Sequence, residues 1–285
     1  MITRLAWATT TEAHGLDDDE PLALAALAEA GVKVDVVAWD DPDVAWERYD
    51  RVVLRSTWDY PERLQEFLAW LHRVSQLTDL RNPLPVVRWN IDKHYLIDLE
   101  QAGVPVVPTT FAEPGSRPAL PDERFVVKPA IGAGSRDAAS YQRDQHDLAF
   151  AHIDRLHAAG ASVLLQPLIA SVAVDGEWPL LFFDGQYSHS ASKRVALPAA
   201  SAVEGLFARE TNAPHTADAA QIAAAQAAVQ VVVDRFGVPT YARVDLVRDD
   251  QGQFRVLELE LVEPSLFLPQ AGPDAVRRLV SALHR

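Results

Sequence analysis

Apolar runs in the N-terminal third of the chain alternate with amphipathic stretches. "TRLAWATT" (Thr3–Thr10), "KVDVVAW" (Lys33–Trp39) and "RVVLRSTW" (Arg51–Trp58) have the apolar density of buried strands. Between and after them, "DDEPLALAALAEAG" reads as a helix ended by Gly31. "PERLQEFLAWLHRV" reads as a second helix, with Leu64, Phe67, Leu68 and Leu71 on one face. A strand–helix order of this kind predicts a parallel sheet covered by helices.

From Asn90 the pattern changes. "NIDKHYLIDLEQAG" reads as a helix with Asn90 in capping position and Gly103 at its end, followed by the β-like "VPVVPTTF". "RFVVKP" (Arg124–Pro129) and "ASVLLQPLI" (Ala161–Ile169) read as buried strands, separated by a Gly-rich turn and a polar segment around "DQHDLAFAHIDRLHAAG". "PLLFFDGQYSHSAS" predicts a hairpin turning at Asp184-Gly185. "ADAAQIAAAQAAVQVVVDRFG" predicts a helix with Ile222, Val229, Val233 and Phe236 at helical spacing, and "GPDAVRRLVSALHR" a final one. "LPAASAVEGLFARETNAPHT" (Leu197–Thr216) is the longest unpatterned segment and is expected to be a mobile loop. The fold class is therefore α/β first and antiparallel α+β afterwards, in two or three lobes and without an internal repeat.

One hairpin breaks its own apolar pattern. In "ARVDLVRDDQGQFRVLELELVEP" (Ala242–Pro264) two Val- and Leu-rich strands flank a polar turn, yet Glu258 and Glu260 stand two apart on one face. Pairing Tyr241–Val247 with Phe254–Val262 sets Asp245 across from Glu258 and Arg243 across from Glu260. The same register sets Val244 against Leu259 and Leu246 against Leu257. One face is then apolar and the other carries Arg243, Asp245, Glu258 and Glu260; a slip by one residue mixes the two sets. A solvated outer face is the ordinary explanation of such acids. Like charges directly opposite are destabilising, and the neighbours here are apolar, so a divalent-cation site is the sharper reading. Mg²⁺ takes oxygen ligands, usually one or two carboxylates plus substrate phosphates.

Composition narrows the partners. At 285 residues and 48% hydrophobic content the chain can bury a sizeable core. A formal net charge of -14 disfavours nucleic acid and anionic membranes, so an anionic ligand needs a local basic cluster or a metal. With no cysteine there is no thiolate nucleophile and no Cys-ligated zinc, which suits a reducing compartment. No secretory h-region follows Met1 and no long apolar run occurs, so a cytoplasmic location is expected.

Phosphate-binding partners for the acids are present. Lys128 ends "FVVK" before "PAIGAGSRD", where Gly132, Gly134 and Ser135 can present backbone N–H groups to phosphate, although a plain hairpin turn accounts for the same residues. Lys93, in the first turn of the helix from Asn90, can reach phosphate or stand in solvent. The amide of Gln166 suits a purine edge or a backbone partner equally.

This order of motifs resembles the ATP-grasp superfamily. The residues that carry the resemblance are the Lys of "NIDKHYL", the Lys of "FVVKPAIGAGS", the strand "LLQPLI", "GEW" (Gly176–Trp178), and "ARVDLV" with "LELE". It implies an N-terminal Rossmann-like lobe (1–89), a small central lobe (90–168) and a C-terminal antiparallel-sheet lobe (169–285), with ATP between the last two. It also implies that a carboxylate is activated as an acyl phosphate for attack by an amine-type nitrogen, with release of ADP and phosphate. By the same resemblance Lys93 and Lys128 contact the ATP phosphates under the loop Gly132–Ser135, Gln166 and Leu168 meet adenine, and Glu177 meets ribose. Asp245, Glu258 and Glu260 hold Mg²⁺, or Mn²⁺ in its place, and Arg243 steadies the transferring phosphoryl group. Asn is common in the superfamily where Glu260 stands. "LRSTWDYPER", "VVRWNIDKHYL" and "LELELVEPSLFL" are most similar to the D-cycloserine synthetase group, which cyclises O-ureido-D-serine with ATP in antibiotic biosynthesis. The segment after "SHSASK" lacks the Phe-Arg-Val-Gln stretch and Gly-Gly pair of many relatives.

Substrate contacts are sought in two places. Arg55, Ser56 and Thr57 follow a parallel strand at its carboxyl end, where α/β sheets bind ligands; Arg55 can take a carboxylate or a structural acid. Lys193, Arg194, Arg209 and Asn212 lie in or beside the unpatterned segment and can close on substrate, with Lys193 and Arg209 joining Arg243 as catalytic candidates. His189 can move a proton or simply bond within its hairpin, and His14 is a weaker candidate. The expected partner is a small carboxylate or amine substrate, with neither nucleic acid nor membrane, and a homodimer is admitted. The rivals to a cyclising ligase are a ligase making a dipeptide-like product, a small-molecule kinase on the same scaffold, and a nucleotide-binding module without catalysis.

Overall fold

Three sheets follow one another along the chain in the computed structural model, which describes residues 2–195 and 210–285. β1 (Arg4–Thr9), α1 (Glu20–Glu29), β2 (Lys33–Ala38), β3 (Arg51–Leu54), α2 (Leu64–Leu77) and β4 (Asp79–Arg81) build the first, a parallel sheet of order β2-β1-β3-β4. The stripe expected on α2 is there: Phe67 and Leu71 are buried with Trp70 and Val74, and Leu64 and Leu68 pack half-buried beside them. Only β4 went unread, because three residues are too few to show a period.

The expected helix from Asn90 is instead two helices, α3 (Leu84–Asn90) and α4 (Tyr95–Gln101). Asn90 ends the first rather than capping the second. Its side-chain amide donates to Leu259 O at 2.8 Å and accepts from Leu261 N at 2.6 Å, which fastens the helix end to the acidic hairpin. The break leaves Lys93 in a turn whose own N–H donates to Ala130 O at 2.9 Å.

β5 (Thr110–Ala112), β6 (Phe125–Pro129), β7 (Ala139–Tyr141), α5 (His146–Ala158) and β8 (Val163–Pro167) form the second unit, an antiparallel sheet of order β5-β8-β6-β7 under one helix. α5 lies inside the stretch that reads as merely polar. Its buried stripe is only Ala149, Ile153 and Leu156, with His152 beside it, too narrow to dominate the charged positions around it.

α6 (Ala170–Asp175), β9 (Trp178–Phe183), β10 (Gln186–Val195), β11 (Glu210–His215), α7 (Ala219–Phe236), β12 (Tyr241–Arg248), β13 (Phe254–Glu260), α8 (Leu268–Ala271) and α9 (Pro273–His284) complete the chain. The third sheet is antiparallel, of order β11-β10-β9-β12-β13. Its first hairpin turns where expected, with φ of 49° at Asp184 and 71° at Gly185, the left-handed pair a two-residue turn needs. Part of the segment expected as a loop is β11, which has no apolar alternation to betray it; residues 196–209, Arg209 among them, lie outside the described residues. α7 buries Val229 with Ala225, Ala228 and Val232, and half-buries Ile222, Val233 and Phe236.

Packing does not follow chain order. Tyr95, Leu96 and Leu99 of α4 join the core of the third sheet with Leu180, Phe182 and Val244. Ala275, Leu279 and Leu283 of α9 return to cover Leu5, Trp7 and Leu27 of the first unit. The acidic hairpin pairs as expected at Arg243↔Glu260, Val244↔Leu259 and Asp245↔Glu258. Beyond that point a bulge sets Leu246 against Val256 rather than Leu257, re-aiming the strand next to the acid pair.

Candidate active site

A cavity of about 360 Å³ lies where the three units meet. Arg243 of β12, Glu258 and Glu260 of β13, Lys193 of β10, Lys128 of β6 and Lys93 of the α3–α4 turn all line it. Alternation along β12 and β13 places these side chains on the face away from the Leu and Val core.

Each acid of the hairpin has a cationic partner. Glu258 lies between Lys93, 3.1 Å from one oxygen, and Lys128, 3.7 Å from the other; Lys93 also donates to Gly132 O at 2.9 Å. Asp245 accepts from Arg243 Nε at 2.8 Å and Nη2 at 2.9 Å, and from Lys193 Nζ at 2.8 Å. Lys193 reaches on to Glu177 at 2.7 Å, and Arg243 to Glu260. The Asp245 side chain is 1% exposed, against 23% for Glu258 and 25% for Glu260, so the two glutamates face the cavity and the aspartate backs them.

The charge states follow from these neighbours. Burial works against charge at Glu258, but Lys93, Lys128 and Lys193 outweigh it and hold its carboxyl well below the usual range. Burial, with Glu258 and Asp245 nearby, lifts Glu260 to about 7 despite Arg243. Glu263, also lining the cavity, is lifted by burial and by Glu260 to about 8 and has no ion pair among the described residues. Burial opposes the charge of Lys128 enough to lower its pKa, whereas Lys93 is raised because Glu258 more than offsets its burial. At Glu260 and Glu263 the neighbouring cations do not offset burial, and a further cation beside them would favour their charged forms.

Not every residue singled out in the sequence reaches the cavity. Gly132, Gly134 and Ser135 line it, and Gly134 and Ser135 have φ of 62° and 59°, both in the left-handed region. Asn212 lines it too, bonded to Glu210 at 2.8 Å. Gln166 is buried against Thr109 Oγ1 at 2.9 Å, and Leu168 donates its N–H to Arg124 O at 2.9 Å; neither is among the lining residues. Arg55, Ser56 and Thr57 are buried behind the wall rather than open to a substrate. Arg55 donates to Pro264 O at 2.7 Å and faces Asp17 and Asp19 at 3.8 and 3.5 Å, so its acids are the protein's own. Ser56 shares a 2.6 Å hydrogen bond with Thr9. Arg194 turns away to Val174 O at 2.9 Å. His14 is exposed and does not line the cavity.

His189 is a brace: its Nε2 lies 2.7 Å from Leu266 O and its Nδ1 2.9 Å from Ser188 Oγ. Burial pulls its pKa down to about 4 from 6.5. The folded protein therefore refuses a proton that the unfolded chain accepts, so His189 makes stability fall as pH drops from 6.5 to about 4. Comparing urea unfolding of wild type and His189→Asn across that range is expected to isolate a slope worth roughly 3 kcal/mol in total.

Gly176 allows the Glu177–Lys193 pair to form. Its φ of 79° with ψ of -160° is open to glycine alone, and a Cβ there would stand 2.6 Å from Lys193 O. Glu177 and Lys193 exchange backbone hydrogen bonds of 2.7 and 2.8 Å directly beside it. Gly176→Ala is expected to cost about 1–3 kcal/mol in urea unfolding, and to raise the KM for ATP by displacing both side chains.

Sequence reasoning missed the wall given by the first unit. Asp17 and Asp19 line the cavity but sit in an acidic run that reads as the start of α1. Glu263 and Phe267 follow β13, where the period of two has ended.

The family model of the N-terminal domain of D-cycloserine synthetase DcsG matches residues 5–82. Over 286 aligned positions, covering 96% of this chain and 95% of the relative, the sequence is 42% identical to the cycloserine biosynthesis protein DcsG of Streptomyces lavendulae. The chain belongs to the D-cycloserine synthetase family. The crystal structure of D-cycloserine synthetase DcsG matches with a TM-score of 0.87 at 40% identity, over 98% of each chain. A D-alanine–D-alanine ligase from Bacillus anthracis in complex with ATP matches with a TM-score of 0.64 at 15% identity, over 99% of this chain and 96% of that one, which places the fold among the ATP-grasp ligases. As a member of the D-cycloserine synthetase family the chain is an ATP-dependent ligase acting on small molecules. Among the described residues no helix is long and apolar enough to cross a membrane.

Proposed function

We propose that the chain is itself a D-cycloserine synthetase, cyclising O-ureido-D-serine in the cytoplasm at the expense of ATP. The substrate carboxylate takes the γ-phosphoryl group and ADP leaves; the oxygen-bound nitrogen of the same molecule then attacks the acyl carbon and expels phosphate, and the carbamoyl group on that nitrogen departs by hydrolysis as carbon dioxide and ammonia. The observation that carries this reading is the cavity face on which Lys93, Lys128, Lys193 and Arg243 surround Glu258 and Glu260. Phosphoryl transfer needs mainly positioning and charge neutralisation, and a set of cations around two carboxylates supplies both.

Lys93 and Lys128, with the N–H groups of the Gly132–Ser135 loop, would hold the phosphates. Arg243 and Lys193, locked by Asp245 and Glu177, would meet the charge that develops on the transferring group. Gln166 and Leu168 would meet adenine and Glu177 ribose only beyond the lining of this cavity, which none of the three joins. Mg²⁺ fits the donor set: Glu258 and Glu260 offer only carboxylate oxygens to the cavity, and Asp245 lies across the hairpin from Glu258. Among the described residues Asp245, Glu258 and Glu260 are not gathered into a three-ligand group, and Mg²⁺ ordinarily takes one or two carboxylates with phosphate and water. When bound it would neutralise charge on the phosphates. Tyr60, Val262 and Phe267 line the same cavity and would keep water from the acyl phosphate.

A screen for ADP release across D- and L-amino acids, both O-ureido-serine enantiomers and small amines tests the reading. ADP and phosphate with O-ureido-D-serine alone is the expected result. A stable phosphorylated product without free phosphate would mean a kinase, and a requirement for a second amine would mean intermolecular ligation.

A further inference from the structure

We infer that Phe267 positions Arg243 for phosphoryl transfer. Asp19 of the first unit holds Phe267 in a left-handed backbone conformation, and the ring that this brings to the cavity wall supports the guanidinium. The inference rests on the assignment of Arg243 to the transferring phosphoryl group, and is independent of which carboxylate that group reaches.

Phe267 has φ of 52° and ψ of 35°. This region is unfavourable for a bulky residue and persists only where the surroundings over-determine it. Among the described residues the other non-glycine positions with positive φ are Ser135, Asp137 and Asp184, all small and polar. What holds Phe267 lies on both sides of it. Leu266 N donates to Asp19 Oδ2 at 2.5 Å and Leu268 N to Asp19 Oδ1 at 2.7 Å, so one carboxylate clamps the N–H before Phe267 and the N–H after it. His189 Nε2, 2.7 Å from Leu266 O, ties the same segment to β10. Glycine would take this backbone without strain, so a phenyl ring kept there implies a use for the ring.

The ring lines the cavity, 3% exposed, with Arg243 Cζ 5.5 Å from its centroid, within the range of a cation–π contact. The N–H groups of Arg243 are engaged elsewhere: Nε and Nη2 with Asp245, Nη2 also with Glu260, and Nη1 with Ser265 O at 3.4 Å, two residues before Phe267. An aromatic face attracts the guanidinium without taking any of these donors. It also keeps water from that side, so the charge acts more strongly on a phosphoryl group. Leu266, Phe267 and Leu268 belong to the core that joins the first unit to the third sheet, so packing alone is the competing explanation.

The test measures, by titration calorimetry in Mg²⁺ buffer, the binding of ADP alone and of ADP with aluminium fluoride, a mimic of the transferring phosphoryl group. Wild type, Phe267→Leu, Arg243→Lys and the double variant are compared. Phe267→Leu is expected to weaken the mimic complex by about 3–30-fold and to leave ADP alone little changed. In the Arg243→Lys background it is expected to add no further loss, because the ring acts through the guanidinium. Equal weakening of both ligands, or losses that multiply in the double variant, would overturn the inference and leave Phe267 to the core. A loss in Arg243→Lys without one in Phe267→Leu overturns the inference and keeps the assignment of Arg243; no loss in Arg243→Lys removes both. Should either variant fail to fold, mono-, di- and trifluorophenylalanine at position 267 decide. Fluorination weakens the negative face of the ring at nearly constant shape. Affinity for the mimic, but not for ADP, that falls with each fluorine supports the inference, and level affinity overturns it.

Discussion

Replacing Glu260 with Gln is expected to lower turnover by at least about 10²-fold, the scale of losing one electrostatic contact in the transition state, while leaving the protein nearly as stable as wild type. The two halves of this expectation have different causes. Glu260 holds Arg243 and faces the cavity, so its charge is placed to serve the phosphoryl group and its cation. That same charge is unwelcome to the fold. Burial, Glu258 and Asp245 lift its pKa to about 7 from 4.5, so ionising it in the folded state costs stability as pH rises from 4.5 to about 7. A neutral amide removes that cost at neutral pH and gives up a charged bond to Arg243, and the two changes oppose each other. Steady-state ADP release at saturating ATP and Mg²⁺, paired with urea unfolding, checks both. Unchanged turnover would remove Glu260 from the site.

Asp245→Asn is expected to do the reverse to stability, lowering it by about 3–5 kcal/mol, the scale of breaking a buried ion pair from one side. Both Asp245 oxygens accept charged hydrogen bonds in a site 1% exposed, and the substitution leaves Arg243 and Lys193 buried without their shared counter-ion. Burial alone would raise the Asp245 pKa, but Arg243 and Lys193 reverse the effect and lower it. A lowered carboxyl stabilises the fold above its ordinary range near 3.8 and loses that contribution as pH falls below it. Wild type should therefore lose stability in this acid range more steeply than Asp245→Asn. Urea midpoints measured from neutral pH downwards read both the loss and its slope.

The acidic hairpin was legible because strands have a period of two: pairing the apolar residues left Arg243, Asp245, Glu258 and Glu260 no other face. The bulge that slips Leu257 was not, since nothing in a Val and Leu run marks where a residue is extra. The parallel sheet and α2 were readable from apolar density, whereas α5 and β11 carry too few apolar positions to show a period. Asn90 misled for a physical reason. An Asn beside a helix suits a cap, but its amide also bridges two backbone groups 169 and 171 residues away, a demand invisible to local pattern. Arg55 sits at the strand end where ligands are usual, yet Asp17, Asp19 and Pro264 O surround it. The cavity wall supplied by the first unit depends on how α9 and the loop after β13 dock, which only the folded chain decides.

Whether ATP at this site phosphorylates the substrate carboxylate is tested most directly by isotope transfer. O-ureido-D-serine carrying oxygen-18 in both carboxylate oxygens is turned over to completion and the released phosphate is weighed by mass spectrometry. Attack of the carboxylate on the γ-phosphorus, followed by nitrogen attack on the acyl carbon, leaves one substrate oxygen on every phosphate. Phosphate with a single oxygen-18 is the predicted result; unlabelled phosphate formed in step with ADP would contradict it.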